Sequence, residues 1–211
     1  MAGRTAVRGL ILAGGRSSRM GEDKALLKVG GKLLLEALVD QLAPWCDSVM
    51  VAVGDADREE RYRLELGAAA EQVEFVHDQY PRCGPLSGMH AGLRHMSEGY
   101  AFVIACDMPV ISMPLVSRLQ QHIPDGAAII YANKEPMHAF YHSRAAEQVE
   151  ASLLAGEYRL MNLLAKLDSL EVEWTDIEEE GASPFLNLNT PEDYARYRRK
   201  AAPVTESEGT L

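Results

Sequence analysis

The sequence predicts an α/β fold, a single domain on a mostly parallel, three-layer sheet with a mixed edge. Apolar runs of strand length at 7–13, where Arg8 is the one charged residue, and at 101–106 are typical of strands that are covered on both faces. Segments with helical spacing at 33–42 and 57–66 follow the first strands, which is the order of consecutive βα units. The strand predicted at 137–142 does not alternate with a long helix, so we expect mixed or antiparallel pairing there.

Length and composition suit one domain with a full core. The chain has 211 residues and 47% hydrophobic content, and we place the domain at residues 1–200. Residues 201–211 have no periodic pattern and are predicted to form a disordered tail. No apolar run approaches the roughly 18 residues of a membrane span, and no signal peptide is recognisable, so we expect a cytoplasmic protein without membrane contact. The cysteines form no CxxC pair and are predicted to be reduced thiols: Cys46, Cys83 and Cys106.

Charge is distributed unevenly along the chain. The formal net charge is −10, which disfavours binding to nucleic acid or to an anionic membrane. Residues 1–32 nevertheless carry seven basic side chains and two acidic ones. A local basic segment in an acidic protein suits a small anionic ligand.

The segment 10–24, LILAGGRSSRMGEDK, indicates a phosphate-binding loop at the end of the first strand. Gly14 and Gly15 lack a Cβ atom, so the backbone is free to turn with positive φ and to present its N–H groups to a ligand. The segment matches neither the GxGxxG nor the P-loop pattern, so another nucleotide-binding fold is needed. A flexible surface loop with solvated charges is the alternative. The cationic donors beside the glycines are Arg16, Arg19 and Lys24.

A second unusual stretch, 81–92, has Pro85 at the expected first position of a helix. The start of that helix offers free backbone N–H groups. Gly88 and Gly92 lie one turn apart on one face, where missing side chains permit close approach by a ligand or by a neighbouring backbone. Close packing alone is the alternative explanation.

Asp107 directly follows the apolar strand at 101–106. Ligands in open α/β sheets lie outside the carboxyl ends of the strands. This carboxylate is therefore expected in the same crevice as Gly14 and Gly15, which we call the glycine loop. Mg²⁺ takes oxygen ligands and is commonly held by one or two carboxylates plus substrate phosphates. Asp107 is therefore the candidate metal ligand, and an Asx turn that closes the strand is the alternative.

The segment 184–194 contains Asn187 and Asn189, which share one face if the chain is extended there. Both side chains could then enter the crevice. Thr190 before Pro191, with acidic residues next, is a strong helix start. A capping turn therefore explains Asn189 without a ligand.

Four motifs occur in order along the chain: LAGGRSSRMGEDK at 12–24, GPLSG at 84–88, CDMP at 106–109 and NLNTP at 187–191. Together they resemble the motifs of the molybdenum cofactor guanylyltransferases, the molybdopterin-guanine dinucleotide biosynthesis protein A family. The resemblance implies a fold like that of the nucleotide-diphospho-sugar transferases. It also implies a Mg²⁺-dependent enzyme that transfers GMP from GTP to molybdopterin or Mo-molybdopterin and releases pyrophosphate. A transient contact with cofactor-biosynthesis proteins or molybdoenzyme chaperones is a further expectation.

The same resemblance implies roles for particular residues. Those expected to line or hold the nucleotide are Leu12, Ala13, Gly14, Gly15, Lys24, Asp78, Gly84 and Gly88. Asp107 would bind Mg²⁺, and catalysis would depend on Lys24, Arg19 and Asp107. Roles toward phosphate, the pterin or the metal are implied for Arg19, Asn187 and Asn189.

Other functions stay open from the residues alone. They are the sister reaction with CTP, transfer to a sugar phosphate, a nucleotide-binding module without turnover, and a structural protein whose glycines only pack. The chain also departs from the family where an Asn often follows the second strand, since it has Val53-Gly54-Asp55 there. Base choice depends on pocket shape, which motif spacing does not define.

Overall fold

A computed structural model describes residues 6–15, 23–175 and 183–201. Of the tail predicted at 201–211, Ala201 is the last residue of a helix and 202–211 lie outside these residues, as do Arg16 and Arg19, which follow the glycine loop. Within them the strands are β1 (Val7–Leu12), β2 (Lys28–Val29), β3 (Lys32–Leu33), β4 (Val49–Gly54), β5 (Glu74–His77), β6 (Tyr100–Ala105), β7 (Ile129–Ala132), β8 (Glu135–His142) and β9 (Ser169–Val172). The helices are α1 (Leu34–Leu42), α2 (Ala56–Leu66), α3 (Pro85–His95), α4 (Met113–Gln120), α5 (Ala145–Leu154), α6 (Leu160–Leu164) and α7 (Pro191–Ala201).

The main sheet has seven strands in the order β5-β4-β1-β6-β8-β7-β9. Strand β1 pairs in parallel with β4 and β6, and β5 pairs in parallel with β4. Strand β8 runs antiparallel to both β6 and β7, and β9 is parallel to β7. The predicted mostly parallel sheet with mixed pairing is confirmed. The antiparallel strand lies inside the sheet, because β7 and β9 pair beyond it.

Helices cover both faces of this sheet, which confirms the three layers. Helices α1, α2 and α4 contribute to one buried cluster, and α3, α5 and α6 contribute to the other. Alternate residues of β1 feed the two clusters, with Ile11 on one face and Leu10 and Leu12 on the other. Parallel strands buried on both faces explain the apolar runs of the sequence. No helix in the described ranges is long and apolar enough to cross a membrane.

Local capping agrees with the sequence. Asp55 caps α2 by accepting a hydrogen bond from Arg58 N at 3.0 Å, and Ser112 caps α4 by accepting one from Leu115 N. Pro85 occupies the first turn of α3, where its missing N–H costs nothing. Helix α2 begins directly after β4, and α3 begins at Pro85 beside the same cleft, so both helices start at one edge of the sheet.

Candidate functional site

The carboxyl ends of β1, β4, β5 and β6 meet at one edge of the sheet, because these four strands are parallel. A cleft of about 700 Å³ opens there. The residues predicted from the sequence that line it are Leu12, Ala13, Gly14, Gly15, Lys24, Asp78, Gly84, Gly88 and Asp107. The glycine loop and the candidate metal ligand, almost a hundred positions apart in the chain, therefore face the same space.

Lys24 connects its own segment to two others that are distant in the sequence. Its Nζ donates to Asp107 Oδ2 at 2.9 Å and to Asn189 Oδ1 at 3.1 Å. The side chains of Lys24 and Asp107 are 15% and 21% exposed, so the ion pair is largely removed from water. Asp107 O also accepts a hydrogen bond from Leu188 N at 2.8 Å, which holds the segment of Asn189 beside the end of β6.

The donor chemistry at this point fits Mg²⁺. A carboxylate oxygen and an amide oxygen already share one cation, the Lys24 ammonium group, and hard oxygen donors are what Mg²⁺ takes. Within the described ranges no group of three or more His, Cys, Asp or Glu side chains could hold a metal ion. The remaining ligands would therefore have to come from water and from substrate phosphates, as is usual for this ion.

The glycines of the first loop differ from their predicted conformation. The expectation of positive φ at Gly14 and Gly15 is wrong, since neither residue adopts it. Gly14 is instead constrained by packing, because a Cβ atom would lie 3.3 Å from Gly54 N. Gly54, at the end of β4, has the positive φ of +90°. Among the described residues a Cβ atom on Gly15 would meet nothing within 4 Å, so Gly15 presents bare backbone to the cleft.

The glycines of α3 have separate explanations. A Cβ atom on Gly92 would lie 2.4 Å from Leu10 Cδ2, so packing against β1 accounts for this position. Gly88 lines the cleft, and a Cβ atom there would lie 2.9 Å from Ala52 Cβ and 3.7 Å from Asp78 Oδ1. Gly84 precedes the helix with φ of +71°, a conformation that favours glycine.

Asp78 brings an unsatisfied acceptor to the cleft. Its Oδ1 is buried and has no hydrogen-bond partner among the described residues. Burial raises the pKa of this carboxyl group, while the neighbouring Ser87 and the charge of Arg58 act in the opposite direction. A ligand with an N–H or O–H donor would satisfy Asp78 Oδ1.

Asn187 is not brought into the cleft lining. Its Nδ2 donates to Phe185 O at 3.2 Å, which is a local turn contact. The capping turn, which was the alternative explanation for Asn189, is present. Thr190 and Asp193 form a reciprocal cap at the start of α7. Asn189 itself reaches Lys24, so capping does not account for its side chain.

A buried network missed by the sequence reasoning supports Lys24. Tyr62 of α2 donates to Asp23 at 2.9 Å and lies 3.1 Å from Ala13 O. Asp23 in turn accepts from Ala25 N at 3.2 Å and so caps the short 3₁₀ turn Lys24–Leu26. Arg58 Nε lies 3.8 Å from Asp23 Oδ2. Aspartate is a common capping residue, so the cap by Asp23 could have been predicted from the sequence. Its contact with α2 could not, because it depends on the fold.

Other lining residues were also not assigned from the sequence. Met137 enters the cleft from the amino end of β8, and Arg82 enters it from the segment before α3 with a positive φ of 68°. Asp55, where relatives were expected to have Asn, both lines the cleft and caps α2. Burial raises the pKa of the Cys106 thiol, which is therefore protonated at neutral pH and unsuited to act as a nucleophile.

Comparisons with known proteins agree with this geometry. Residues 9–171 match the family model described as MobA-like NTP transferase domain. A protein of Yersinia pseudotuberculosis named molybdenum cofactor guanylyltransferase is 33% identical over 199 residues, 92% of this chain and 96% of the relative. One of the same name from Vibrio cholerae is 30% identical over 89% of each chain. The crystal structure of molybdopterin-guanine dinucleotide biosynthesis protein A from Archaeoglobus fulgidus is similar with a TM-score of 0.75 and 25% identity, over 91% of this chain and 97% of that one.

Proposed function

The chain belongs to the family of MobA-like NTP transferase domains, and from this membership we propose that it is a Mg²⁺-dependent guanylyltransferase. It transfers GMP from GTP to the terminal phosphate of molybdopterin, or of Mo-molybdopterin, and releases pyrophosphate. The observation that carries the proposal is the contact of Lys24 with Asp107 in the cleft that Gly14 and Gly15 also line. Backbone amides and a charged pair are thus within reach of one triphosphate.

The reaction needs alignment and charge neutralisation more than covalent catalysis. A phosphate oxygen of molybdopterin attacks the α-phosphorus of GTP, and the bond to the bridging oxygen of pyrophosphate breaks in line with it. The attacking phosphate is already ionised near neutral pH, so no residue has to remove a proton. The shape of the cleft and the charges around it therefore carry the catalysis.

Lys24 supplies positive charge where the departing pyrophosphate gains negative charge. Its compact ammonium group on a flexible stem can follow the phosphates as they move. Asp107 and Asn189 would hold Mg²⁺ through one carboxylate and one amide oxygen. Bound there, the ion would neutralise phosphate charge and hold the phosphates in line.

The nucleoside end of GTP is assigned to Asp78 and the start of α3. The buried, unsatisfied Asp78 Oδ1 suits a ribose hydroxyl or a base N–H as donor. Gly88 lies beside it, and a Cβ atom there would crowd Ala52 at 2.9 Å and would reach ordinary contact distance from Asp78 Oδ1 at 3.7 Å, so glycine keeps this part of the cleft open. Guanine is favoured over cytosine by the names of the two bacterial relatives.

The test measures pyrophosphate release with Mg²⁺ and molybdopterin, using GTP and CTP in parallel. We expect GTP to be used at least about tenfold more efficiently, because a site built to hydrogen-bond one base rejects another. Omission of molybdopterin, and its replacement by a sugar phosphate, serve as controls. Faster release with CTP or with the sugar phosphate would contradict the guanylyl assignment, and release with none of them would contradict catalysis.

The remaining assignments concern the surroundings of the enzyme. We place it in the cytoplasm, where GTP is available and thiols such as Cys106 are kept reduced. Its substrates are GTP and molybdopterin, and transient contacts with cofactor-biosynthesis proteins or molybdoenzyme chaperones would deliver or receive the pterin. Fractionation of cells and crosslinking of the tagged full chain would test these two statements.

A further inference from the structure

The ammonium group of Lys24 contacts both oxygen atoms that are proposed to hold the metal ion. Lys24 Nζ lies 2.9 Å from Asp107 Oδ2 and 3.1 Å from Asn189 Oδ1. The pair is mostly shielded from water, with Lys24 15% and Asp107 21% exposed, so salt screens it little. The carboxylate thus has a cationic partner before any ligand arrives.

We propose that Lys24 is a tethered cation that keeps Asp107 and Asn189 from binding a divalent ion until the triphosphate is bound. The proposal rests on the proposed function, because it concerns the same triphosphate site. Mg²⁺ binds oxygen at about 2.0–2.1 Å, so at these oxygens it would meet the positive charge of the ammonium group directly. The phosphates of the nucleotide offer Lys24 other anionic partners, and its departure frees the carboxylate.

The backbone around Lys24 allows this exchange without a larger rearrangement. Asp23, directly before it, is fixed by hydrogen bonds from Tyr62 at 2.9 Å and from Ala25 N at 3.2 Å. The start of the turn is therefore anchored, and only the flexible lysine stem has to move. Nucleotide binds first, or together with the metal, and free metal alone does not fill the site.

The test titrates Mn²⁺ into the full chain without nucleotide and follows the loss of the free-ion electron paramagnetic resonance signal. The comparison is between the unchanged chain and Lys24→Met, which keeps the length of the side chain and removes its charge. We expect Lys24→Met to bind Mn²⁺ at least about tenfold more tightly, because a hydrogen bond between charged groups no longer competes. Adding GTP should allow the unchanged chain to bind Mn²⁺ as well.

Two controls identify the site. Lys28→Met removes an exposed lysine of β2 outside the cleft lining and should leave Mn²⁺ affinity as it is. Asp107→Asn in the Lys24→Met background should remove the gained affinity. Lys24→Gln is titrated beside Lys24→Met, and thermal melts of all variants check that they fold.

The outcomes separate this proposal from the proposed function. Equal Mn²⁺ affinity of the unchanged chain and Lys24→Met, whether tight or undetectable, would overturn it. A gain that survives Asp107→Asn would also overturn it, because the ion would then lie elsewhere. Failure of pyrophosphate release would count against the guanylyltransferase, whereas the nucleotide-free Mn²⁺ comparison reports on Lys24 alone.

Discussion

The two halves of the sheet serve the cleft in different ways. In the half formed by β5, β4, β1 and β6 the strands are parallel, so their carboxyl ends deliver the glycine loop, Asp78 and Asp107 to one edge. In the other half β8 runs antiparallel, and its amino end reaches the same edge with Met137. The first half carries most of the polar groups of the cleft, whereas the second contributes an apolar wall and buried packing.

The two halves also differ in how their titratable side chains are placed. Lys24 and Asp107 line the cleft, where a ligand can reach them although their side chains are only 15% and 21% exposed. His138 of β8 is fully buried among Phe102 and Phe185, and neither ring nitrogen has a partner among the described residues. Substitution of the cleft residues Lys24 and Asp107 should therefore change catalysis, whereas substitution of the buried His138 should change stability.

The largest expected effect is that of Asp107→Asn. The substitution keeps the shape of the side chain and removes the charge, so turnover should fall by about a thousandfold, in line with the loss of an electrostatic contact to the transition state. Pyrophosphate release with GTP measures the loss. Asp168→Asn, whose side chain is 77% exposed in the other half, is the matched control and should keep its rate. Comparable losses in both variants would break the distinction between the halves.

Substitution of His138 should change the pH dependence of stability. Burial lowers the pKa of His138 from 6.5 to about 4. The unfolded chain therefore binds a proton that the native protein does not between pH 6.5 and pH 4, so stability falls as the pH falls through this window. For this group the loss from pH 7.5 to pH 5 is on the order of 2 kcal/mol.

His138→Leu should remove that part of the pH dependence. Urea unfolding of both proteins at pH 7.5 and pH 5 measures it, and the difference between the two pH values should shrink by about 2 kcal/mol in the variant. Turnover at pH 7.5 should stay near that of the unchanged chain. An unaltered pH dependence of the free energy of unfolding would contradict the assignment.

Substitution of two glycines in the first half distinguishes a role in packing from a role in ligand binding. A Cβ atom on Gly92 would lie 2.4 Å from Leu10 Cδ2, so Gly92→Ala should destabilise the fold by about 1–3 kcal/mol through overpacking. The new methyl group of Gly15→Ala would meet no described residue within 4 Å, so this variant should keep its melting temperature while binding GTP more weakly. Thermal melts with and without GTP measure both effects. A stable Gly92→Ala, or an unchanged GTP affinity in Gly15→Ala, would contradict the respective assignment.

The smallest expected effect is that of Tyr62→Phe. Loss of the hydroxyl removes one hydrogen bond to Asp23, worth about 1 kcal/mol, and loosens the turn that positions Lys24. We expect kcat to fall by about threefold to tenfold with a smaller change in KM for molybdopterin. Steady-state kinetics provide the measurement. A variant that lost only stability, with kcat intact, would show that the network has a purely structural role.

The sequence predicted the parallel half well, because buried strands are visible as apolar runs and their carboxyl ends mark the loops that follow. Asp107 and the glycine loop were found in this way. Tyr62 and Met137 were not, since Tyr62 contacts Asp23 across 39 positions and Met137 depends on the direction of β8. The φ of Gly14 was mispredicted because its packing against Gly54, and not a turn, requires glycine there.

In the proposed reaction one triphosphate lies between the glycine loop and Asp107. Thermal melts with Mg²⁺ and each of GTP, CTP, ATP and UTP test it most directly, because a ligand that binds the native state raises the melting temperature. We predict the largest rise with GTP, amounting to about 2.7 kcal/mol of stabilisation at a hundredfold excess over Kd, and a clearly smaller rise for Asp107→Asn. No rise with any nucleotide, or an equal rise in Asp107→Asn, would contradict the claim.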